Sequence, residues 1–174
     1  MAHLLSLMPL RADAHRNELT RLYRAVPAYR AQQGLSGNPY LLAEQDLRAA
    51  EAAADRALLG ILRAVDAQNP AAGAELVGIV DFRRHWPQEG VATLGALLVA
   101  EQWQRQGIGR QAWGLLEPWL ADQADISRVV AGVEQFNPGG LRFLQALGFT
   151  LTGEAERVRL GDRLVRRIMM EKAI

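Results

Sequence analysis

The chain has 174 residues, of which 49% are apolar and 22% are charged, and its ionisable residues leave a formal net charge of +1. These proportions exclude a disordered or collagen-like chain, and the even charge balance argues against nucleic acid or a membrane surface as a partner. The absence of cysteine excludes disulfides, thiolate nucleophiles and cysteine-ligated zinc. We therefore expect one cytoplasmic domain over residues 1–174.

The N-terminal part of the chain predicts a strand followed by two helices. Residues 3–10 form an apolar run that lacks the cationic start and the cleavage site of a signal peptide, and no stretch approaches the ~18 apolar residues of a membrane span. A first helix is expected over residues 12–29, where four apolar residues recur at helical spacing: Leu19, Leu22, Tyr23 and Val26. The turn-rich residues 34–40 lead to a second helix over residues 41–56.

The centre of the chain predicts an antiparallel meander and then a long helix. Short apolar runs joined by short loops predict strands over residues 57–65, 76–82 and 91–100. After Gly107 the apolar period becomes that of an amphipathic helix of about four turns. Its apolar face is expected to carry Ile108, Ala112, Leu115, Leu116, Trp119 and Leu120. Pro118 lacks an amide donor, so we expect a kink or an early stop there.

The last part of the chain predicts a strand, a short helix and a hairpin. The strands are expected over residues 127–134, 150–160 and 163–170, and the helix over residues 138–147. Gly148 stands where a left-handed helix cap is expected, and Gly161-Asp162 suits a two-residue hairpin turn. A helix between two strands requires a crossover. The fold class is therefore α/β or α+β, with a mixed sheet.

One loop carries most of the chemical information. An apolar strand runs into a polar loop, and two glycines, Gly107 and Gly109, open the following helix. The first amides of a helix have no intrahelical acceptor, so backbone nitrogen atoms alone can hold a diphosphate there. The loop matches neither the dinucleotide fingerprint nor the P-loop. An ordinary tight turn relieved by glycine is the alternative.

The surrounding residues resemble a known family. The pattern Gln104-x-x-Gly107-x-Gly109, followed by a strand and then by Asn137, Phe143 and Leu147-Gly148-Phe149, resembles motifs A and B of the GNAT superfamily of acyl-CoA-dependent N-acyltransferases. The resemblance covers the topology of the whole chain and the specific residues 94–149. It implies a mixed central sheet of about six to seven strands with a splayed strand pair, flanked by about four helices.

The resemblance also implies an activity. It implies an N-acetyltransferase that moves an acetyl group from acetyl-CoA to a primary amine of a small molecule or peptide. With no cysteine to carry the group, transfer is expected to be direct, within a ternary complex. The histidines, His3, His15 and His85, lack metal-ligand spacing, so we expect no metal.

Carried over to this chain, the resemblance assigns a set of cofactor-binding residues. Leu97, Leu98 and Val99 are expected along the pantetheine arm, which the backbone of Leu97 and Val99 would contact. The pyrophosphate is assigned to the loop and the first helical amides, comprising Gln104, Arg105, Gln106, Gly107, Ile108, Gly109 and Arg110. Asn137 is expected to reach the cofactor. Alternatively it caps the next helix, since Asn-Pro suits a helix start.

The catalytic assignments are less determined. In many members of the family, a tyrosine protonates the leaving thiolate at the position where this chain has Leu144. A thiol with a pKa of ~8.5 can, however, leave without being protonated. Glu134 is the candidate base, or else a solvated carboxylate at a strand end. Asp81 could face the acceptor or pair with Arg83 or Arg84. His85, whose type titrates near neutrality, could equally be an ordinary loop residue.

For the acceptor, Tyr29 and Tyr40 could form an aromatic lid, or they could pack on the core. Trp103, Trp113 and Trp119 are interpreted as packing residues or as the face of a homodimer. The missing tyrosine at Leu144 motivates a second hypothesis, in which the chain binds acyl-CoA or CoA without turnover as a sensor or interaction module. A third hypothesis is that the chain binds a nucleotide phosphate and shares only the glycine loop with the GNAT superfamily.

Overall fold

The computed structural model describes residues 4–122 and 126–174, which form five α-helices and one mixed sheet of seven strands. The strands are β1 (Leu5–Pro9), β2 (Arg56–Ala64), β3 (Ala74–Arg84), β4 (Val91–Val99), β5 (Arg128–Glu134), β6 (Thr150–Leu160) and β7 (Arg163–Ala173). The helices are α1 (Arg16–Arg24), α2 (Pro27–Gln32), α3 (Pro39–Ala52), α4 (Ile108–Asp122) and α5 (Pro138–Ala146). The strand order is β1-β2-β3-β4-β5-β7-β6, which confirms the predicted fold class.

The N-terminal helices differ from the prediction. The single helix expected over residues 12–29 is two helices, because α1 ends at Arg24 and α2 begins at Pro27. Proline has no amide to continue α1 but suits the first position of a new helix. The next helix, α3, ends at Ala52 instead of extending to Arg56, because Arg56 already pairs with Arg83 as the first residue of β2.

Helix α4 continues through Pro118 to Asp122, so the early stop is wrong. Leu116 and Leu120, on either side of the proline, are each 1% exposed, and their burial against the sheet supports the helix past the missing hydrogen bond. The apolar face is narrower than predicted, since Leu115 is 46% exposed and Trp119 is 44% exposed.

Strands β4 and β5 form the predicted splayed pair. They are parallel neighbours only from Val91 to Leu94 of β4, with α4 as the crossover. The register against β3 then shifts, since Asp81 faces Ala96 while Phe82 faces Leu94, which leaves Gly95 as an extra residue. Such a bulge bends its strand. Beyond Gly95, β4 stays with β3 and β5 stays with β7, so a gap opens between them.

The two faces of the sheet carry different packing layers. On one face, α4 and α5 bury the larger core, which includes Ile108, Leu116 and Leu144. On the other, α1 and α3 bury a second core around Leu19, Leu47 and Ile79. None of the helices in the described ranges has the length and apolar character of a membrane span.

The β6–β7 hairpin turns at Gly161, whose φ is +58°, as predicted. Its tip lies against the loop after α2. A Cβ atom at Gly34 would lie 2.8 Å from the Gly161 nitrogen, and Nη2 of Arg163 donates to the Gln32 carbonyl oxygen at 2.9 Å. We call this contact the hairpin clasp. It joins the last hairpin to the N-terminal helices.

Candidate active site

A cleft of about 1130 Å³ opens where β4 and β5 separate. Residues 93–98 of β4 and residues 130–134 of β5 line it from the sheet. The lining also includes Tyr29 and Gln32 of α2, and Thr152, Glu154 and Glu156 of β6. Two strand edges, a helix and a hairpin therefore enclose one elongated space.

The free edge of β4 faces this space. Leu97, Leu98 and Val99 pair with β3 through one edge only, so alternate backbone groups on the other edge lack strand partners. The side chains of Leu98 and Val99 are buried in the two cores on opposite faces of the sheet. Their backbone groups are therefore the atoms that a ligand in the cleft could contact. The Val99 carbonyl oxygen is already engaged, since it accepts a hydrogen bond from Nε2 of Gln104 at 2.8 Å. Gln104 thereby anchors the start of the glycine loop.

The loop before α4 has two residues in left-handed backbone conformation. Arg105 has φ +63° and Gly107 has φ +82°. A non-glycine residue in that region costs of order 1 kcal/mol or more and is concentrated at ligand sites. A Cβ atom at Gly107 would meet nothing within 4 Å. Glycine at position 107 is therefore explained by the left-handed backbone conformation and not by crowding, and the space beside it is open.

Gly109 also has a packing role. A Cβ atom there would lie 3.1 Å from Cζ of Phe143 and 3.3 Å from Cδ2 of Leu97. The absence of a side chain thus lets α4, α5 and β4 approach each other at the mouth of the cleft. This packing leaves no room for a side chain at position 109.

Asn137 caps α5, as the local interpretation of the sequence expected. Its Oδ1 accepts a hydrogen bond from the Gly140 amide at 2.9 Å, and Pro138 occupies the first helical position. Asn137 also lines the cleft. The cap uses the oxygen of the side-chain amide, and within the described residues the nitrogen of that amide donates no hydrogen bond.

Glu134 ends β5 and lines the cleft, but it is not a solvated carboxylate. It is 6% exposed, and its Oε1 accepts hydrogen bonds from Nε and Nη2 of Arg167 at 3.2 and 3.0 Å. Arg167 can lie over the neighbouring strand only because Gly132 has no side chain, since a Cβ atom there would collide with it. Within the described part of the chain, Oε2 makes no hydrogen bond and is not among the buried unpaired atoms. We infer that Oε2 faces the cleft.

Tyr29 and Tyr40 occupy different places. Tyr29 lines the cleft, and burial raises its pKa to about 12, with the negative charge of Glu134 as the next cause. Its phenol therefore stays protonated at neutral pH and can donate a hydrogen bond. Tyr40 lies at the contact between α1 and α3, where its hydroxyl accepts a hydrogen bond from Nη1 of Arg16 at 2.7 Å. The two rings do not form one lid.

Asp81 takes part in a charged network and pairs with neither Arg83 nor Arg84. Its two oxygens accept hydrogen bonds from Nε and Nη2 of Arg56 at 3.0 and 2.6 Å. Arg56 also lies 3.6 Å from Asp46, which accepts a hydrogen bond from the Tyr23 hydroxyl at 2.5 Å. Burial, and then the charge of Asp46, raises the pKa of Tyr23. The network joins α1, α3, β2 and β3 behind the bulge at Gly95.

We expect Asp81→Asn to lower the free energy of unfolding by about 2–3 kcal/mol. Removing one member of a buried pair costs about 3–5 kcal/mol, and both side chains here remain 20% exposed, which reduces that cost. Urea unfolding followed by circular dichroism measures the change. An unchanged unfolding midpoint together with a raised KM for the acceptor would instead assign Asp81 to the acceptor site.

Other residues considered from the sequence have local roles. His85 is exposed, and its Nδ1 lies 3.4 Å from the Gly90 amide; His3 lies outside the described residues. Trp113 packs edge-on against Phe149. In residues 4–122 and 126–174 no group of three or more potential ligands is placed to hold a metal ion. Leu144 lines the cleft and is 6% exposed. Because its side chain has no titratable group, this position supplies no proton.

Sequence reasoning did not single out Arg167. It lies 33 residues from Glu134, and only the antiparallel pairing of β5 with β7 brings them together. The small residue Gly132 within an apolar strand pattern was the one available signal, since such a glycine often marks a close approach.

The acetyltransferase (GNAT) family model matches residues 28–149. Among solved structures, the chain is similar to an acetyltransferase from Thermus thermophilus, with 26% identity and a TM-score of 0.76 over 99% of this chain and 100% of that one. It is also similar to a Salmonella typhimurium acetyl transferase that modifies the N-terminal serine of ribosomal protein L7/L12, with 20% identity and a TM-score of 0.79 over 98% and 95%. A GCN5-related N-acetyltransferase from Brucella melitensis has 19% identity and a TM-score of 0.75 over 99% and 77%. No curated protein matches.

Proposed function

Because the chain belongs to the GNAT acetyltransferase family, we propose that it moves an acetyl group from acetyl-CoA to a primary amine of a small molecule or peptide. Transfer is direct, in a ternary complex, and residues 1–174 act as one domain. The observation that carries this proposal is the gap between β4 and β5 beside the first turn of α4. The gap offers a strand edge and free helical amides to one elongated ligand.

The residues of the cleft fit acetyl-CoA, which supplies the acetyl group as a thioester. We assign the phosphate end to the glycine loop, where the open space at Gly107 leaves room beside the first amides of α4. The pantetheine arm is assigned to the free edge of Leu97, Leu98 and Val99. The side-chain nitrogen of Asn137 is assigned to the same arm. The loop residues in this assignment are Gln104, Arg105, Gln106, Gly107, Ile108, Gly109 and Arg110.

Glu134 is assigned as the base. The ammonium form of the acceptor must lose a proton before its nitrogen attacks the carbonyl carbon of the thioester, and a positioned carboxylate that takes this proton typically raises the rate about 10²- to 10⁴-fold. Arg167 holds Oε1 of Glu134, so Oε2 can accept that proton in a fixed place. The Tyr29 hydroxyl, which stays protonated, orients the amine. Holding both reactants in the correct geometry lowers the activation barrier by roughly 7–11 kcal/mol more.

The leaving thiolate departs without a dedicated acid. A coenzyme A thiol is expected near the pKa of ~8.5 of a free thiol. The pKa of Tyr29, about 12, makes that phenol a weaker acid than the thiol it would protonate. Tyr29 can therefore donate a hydrogen bond to the leaving thiolate but does not transfer a proton to it. Because the thiolate needs no acid, the apolar Leu144 is compatible with turnover.

Titration calorimetry with acetyl-CoA, with ADP as the control, tests the proposal first. We expect a Kd near micromolar, about −8 kcal/mol, and much weaker binding of ADP. Release of free thiol is then measured with a panel of small amines and peptides, including one with an N-terminal serine. Binding with no release above the uncatalysed rate would favour the non-catalytic acyl-CoA sensor. Equal affinity for ADP would favour a simple nucleotide-phosphate binder.

A further inference from the structure

One face of the β6–β7 hairpin carries three exposed arginines. Arg157 and Arg166 are directly opposed across the two strands, and Arg159 lies two residues further along β6 on the same face. All three are exposed, and so is Leu164, opposite Arg159, at 61%. We call Arg157, Arg159 and Arg166 the basic face.

The arginines of the basic face form no ion pair within the described part of the chain. None of the ion pairs among residues 4–122 and 126–174 includes Arg157, Arg159 or Arg166. Like charges directly opposite each other destabilise a strand pair. A hairpin built for stability alone would place an acidic residue in at least one of these positions.

The basic face lies on the outer side of the cleft wall. Side chains alternate along a strand, so the opposite face of the same hairpin carries Glu156 and Arg167, which line the cleft. The hairpin clasp at Gly34 and Gly161 fixes this wall against the N-terminal helices. Strand β6 is the edge strand of the sheet and lies two strand spacings, or roughly 10 Å, from β5, so a peptide that leaves the cleft reaches the basic face by passing around this edge.

We propose that the basic face docks an acidic segment of a polypeptide acceptor whose N-terminal amine enters the cleft. The inference rests on the proposed function and specifies its acceptor. A polypeptide is favoured over a nucleic acid because the cleft requires an aliphatic amine. The cationic area formed by three arginines, on a chain of net charge +1, is also small compared with the basic patch of a nucleic-acid-binding protein.

The test compares three synthetic peptides of equal length with the same free N-terminal sequence. From the fifth residue onward, one is rich in glutamate, one in glutamine and one in lysine. Initial rates of thiol release with saturating acetyl-CoA are measured for the wild type, for R157Q/R159Q/R166Q, and for a charge-matched control, R11Q/R24Q/R48Q. A small primary amine turned over by the wild type serves as the reference acceptor. Binding of the labelled acidic peptide and of a single-stranded RNA is followed by fluorescence anisotropy.

For the wild type we expect kcat/KM to be about tenfold higher for the acidic peptide than for the glutamine peptide at low salt, and this preference to fall as salt screens the charges. The triple variant of the basic face should lose the preference and keep the wild-type rate on the small amine, whereas the control should keep both. Equal rates for the three peptides, or an unchanged preference in the triple variant, would overturn the inference. RNA binding with no peptide preference would also overturn it. Absence of turnover for every acceptor, together with no acetyl-CoA binding, would instead reject the proposed function.

Discussion

Glu134→Gln is expected to lower kcat by about 10²- to 10⁴-fold, the range typical for loss of a general base. The amide is close to the size of the carboxylate and can still accept a hydrogen bond from Arg167, but it cannot take the proton from the ammonium form of the acceptor. Affinity for acetyl-CoA should not change, because Glu134 lies beyond the residues assigned to it. The residual rate should rise with pH together with the fraction of neutral amine, and steady-state rates across pH measure this.

Glu171→Gln is the matched control. Glu171 also lines the cleft and is also paired with an arginine, since its Oε2 lies 3.0 Å from Nη1 of Arg128. It sits at the far end of the cleft, where β4 and β5 are still paired, so its replacement should leave kcat near the wild-type value. Wild-type kcat in Glu134→Gln would show that the base lies elsewhere. A comparable loss in Glu171→Gln would indicate a general effect of cleft charge.

Gly109→Trp is expected to weaken acetyl-CoA binding by about 10²- to 10⁴-fold, corresponding to the loss of two charge-assisted hydrogen bonds. The structure gives the reason for this expectation. A side chain at position 109 meets Phe143 and Leu97 before it reaches open space, so the first turn of α4 must shift. Overpacking of this kind costs typically about 1–3 kcal/mol of stability. Calorimetry with acetyl-CoA and thermal unfolding measure the two effects.

Gly114→Trp supplies the control for this substitution. It places the same side chain on the same helix, at an exposed position where a Cβ atom would meet nothing within 4 Å. Acetyl-CoA affinity should match that of the wild type. If Gly109→Trp also binds acetyl-CoA normally and is folded, the glycine loop does not hold the cofactor.

The local structure of the glycine loop and of the Asn137 cap could be predicted from the sequence because the residues of each are close together in the chain. The loop from Gln104 to Gly109 is a local strand-to-helix turn, and the Asn137 cap is set by the proline that follows it. Such features depend on backbone rules that act over a few residues.

The contacts of Glu134, Asp81 and the two tyrosines could not be predicted in the same way. The pairing of Glu134 with Arg167 depends on which strands become neighbours, and the pairing of Asp81 with Arg56 depends on the register of β2 against β3. The division of the first helix at Pro27 sends Tyr29 into the cleft, while Tyr40 packs on α1. These outcomes follow from long-range packing, which apolar periodicity does not encode.

The hairpin clasp also affects the thermodynamics of acceptor recognition. Gly34 and Gly161 touch through their backbones, so the loop after α2 and the tip of the hairpin are ordered by folding itself. Under the proposed function, an acceptor would enter a cleft whose walls are already held together, which leaves less conformational entropy to be lost on binding. Affinity in such a preorganised cleft depends on how well the acceptor matches its shape and charge, and less on closure around it.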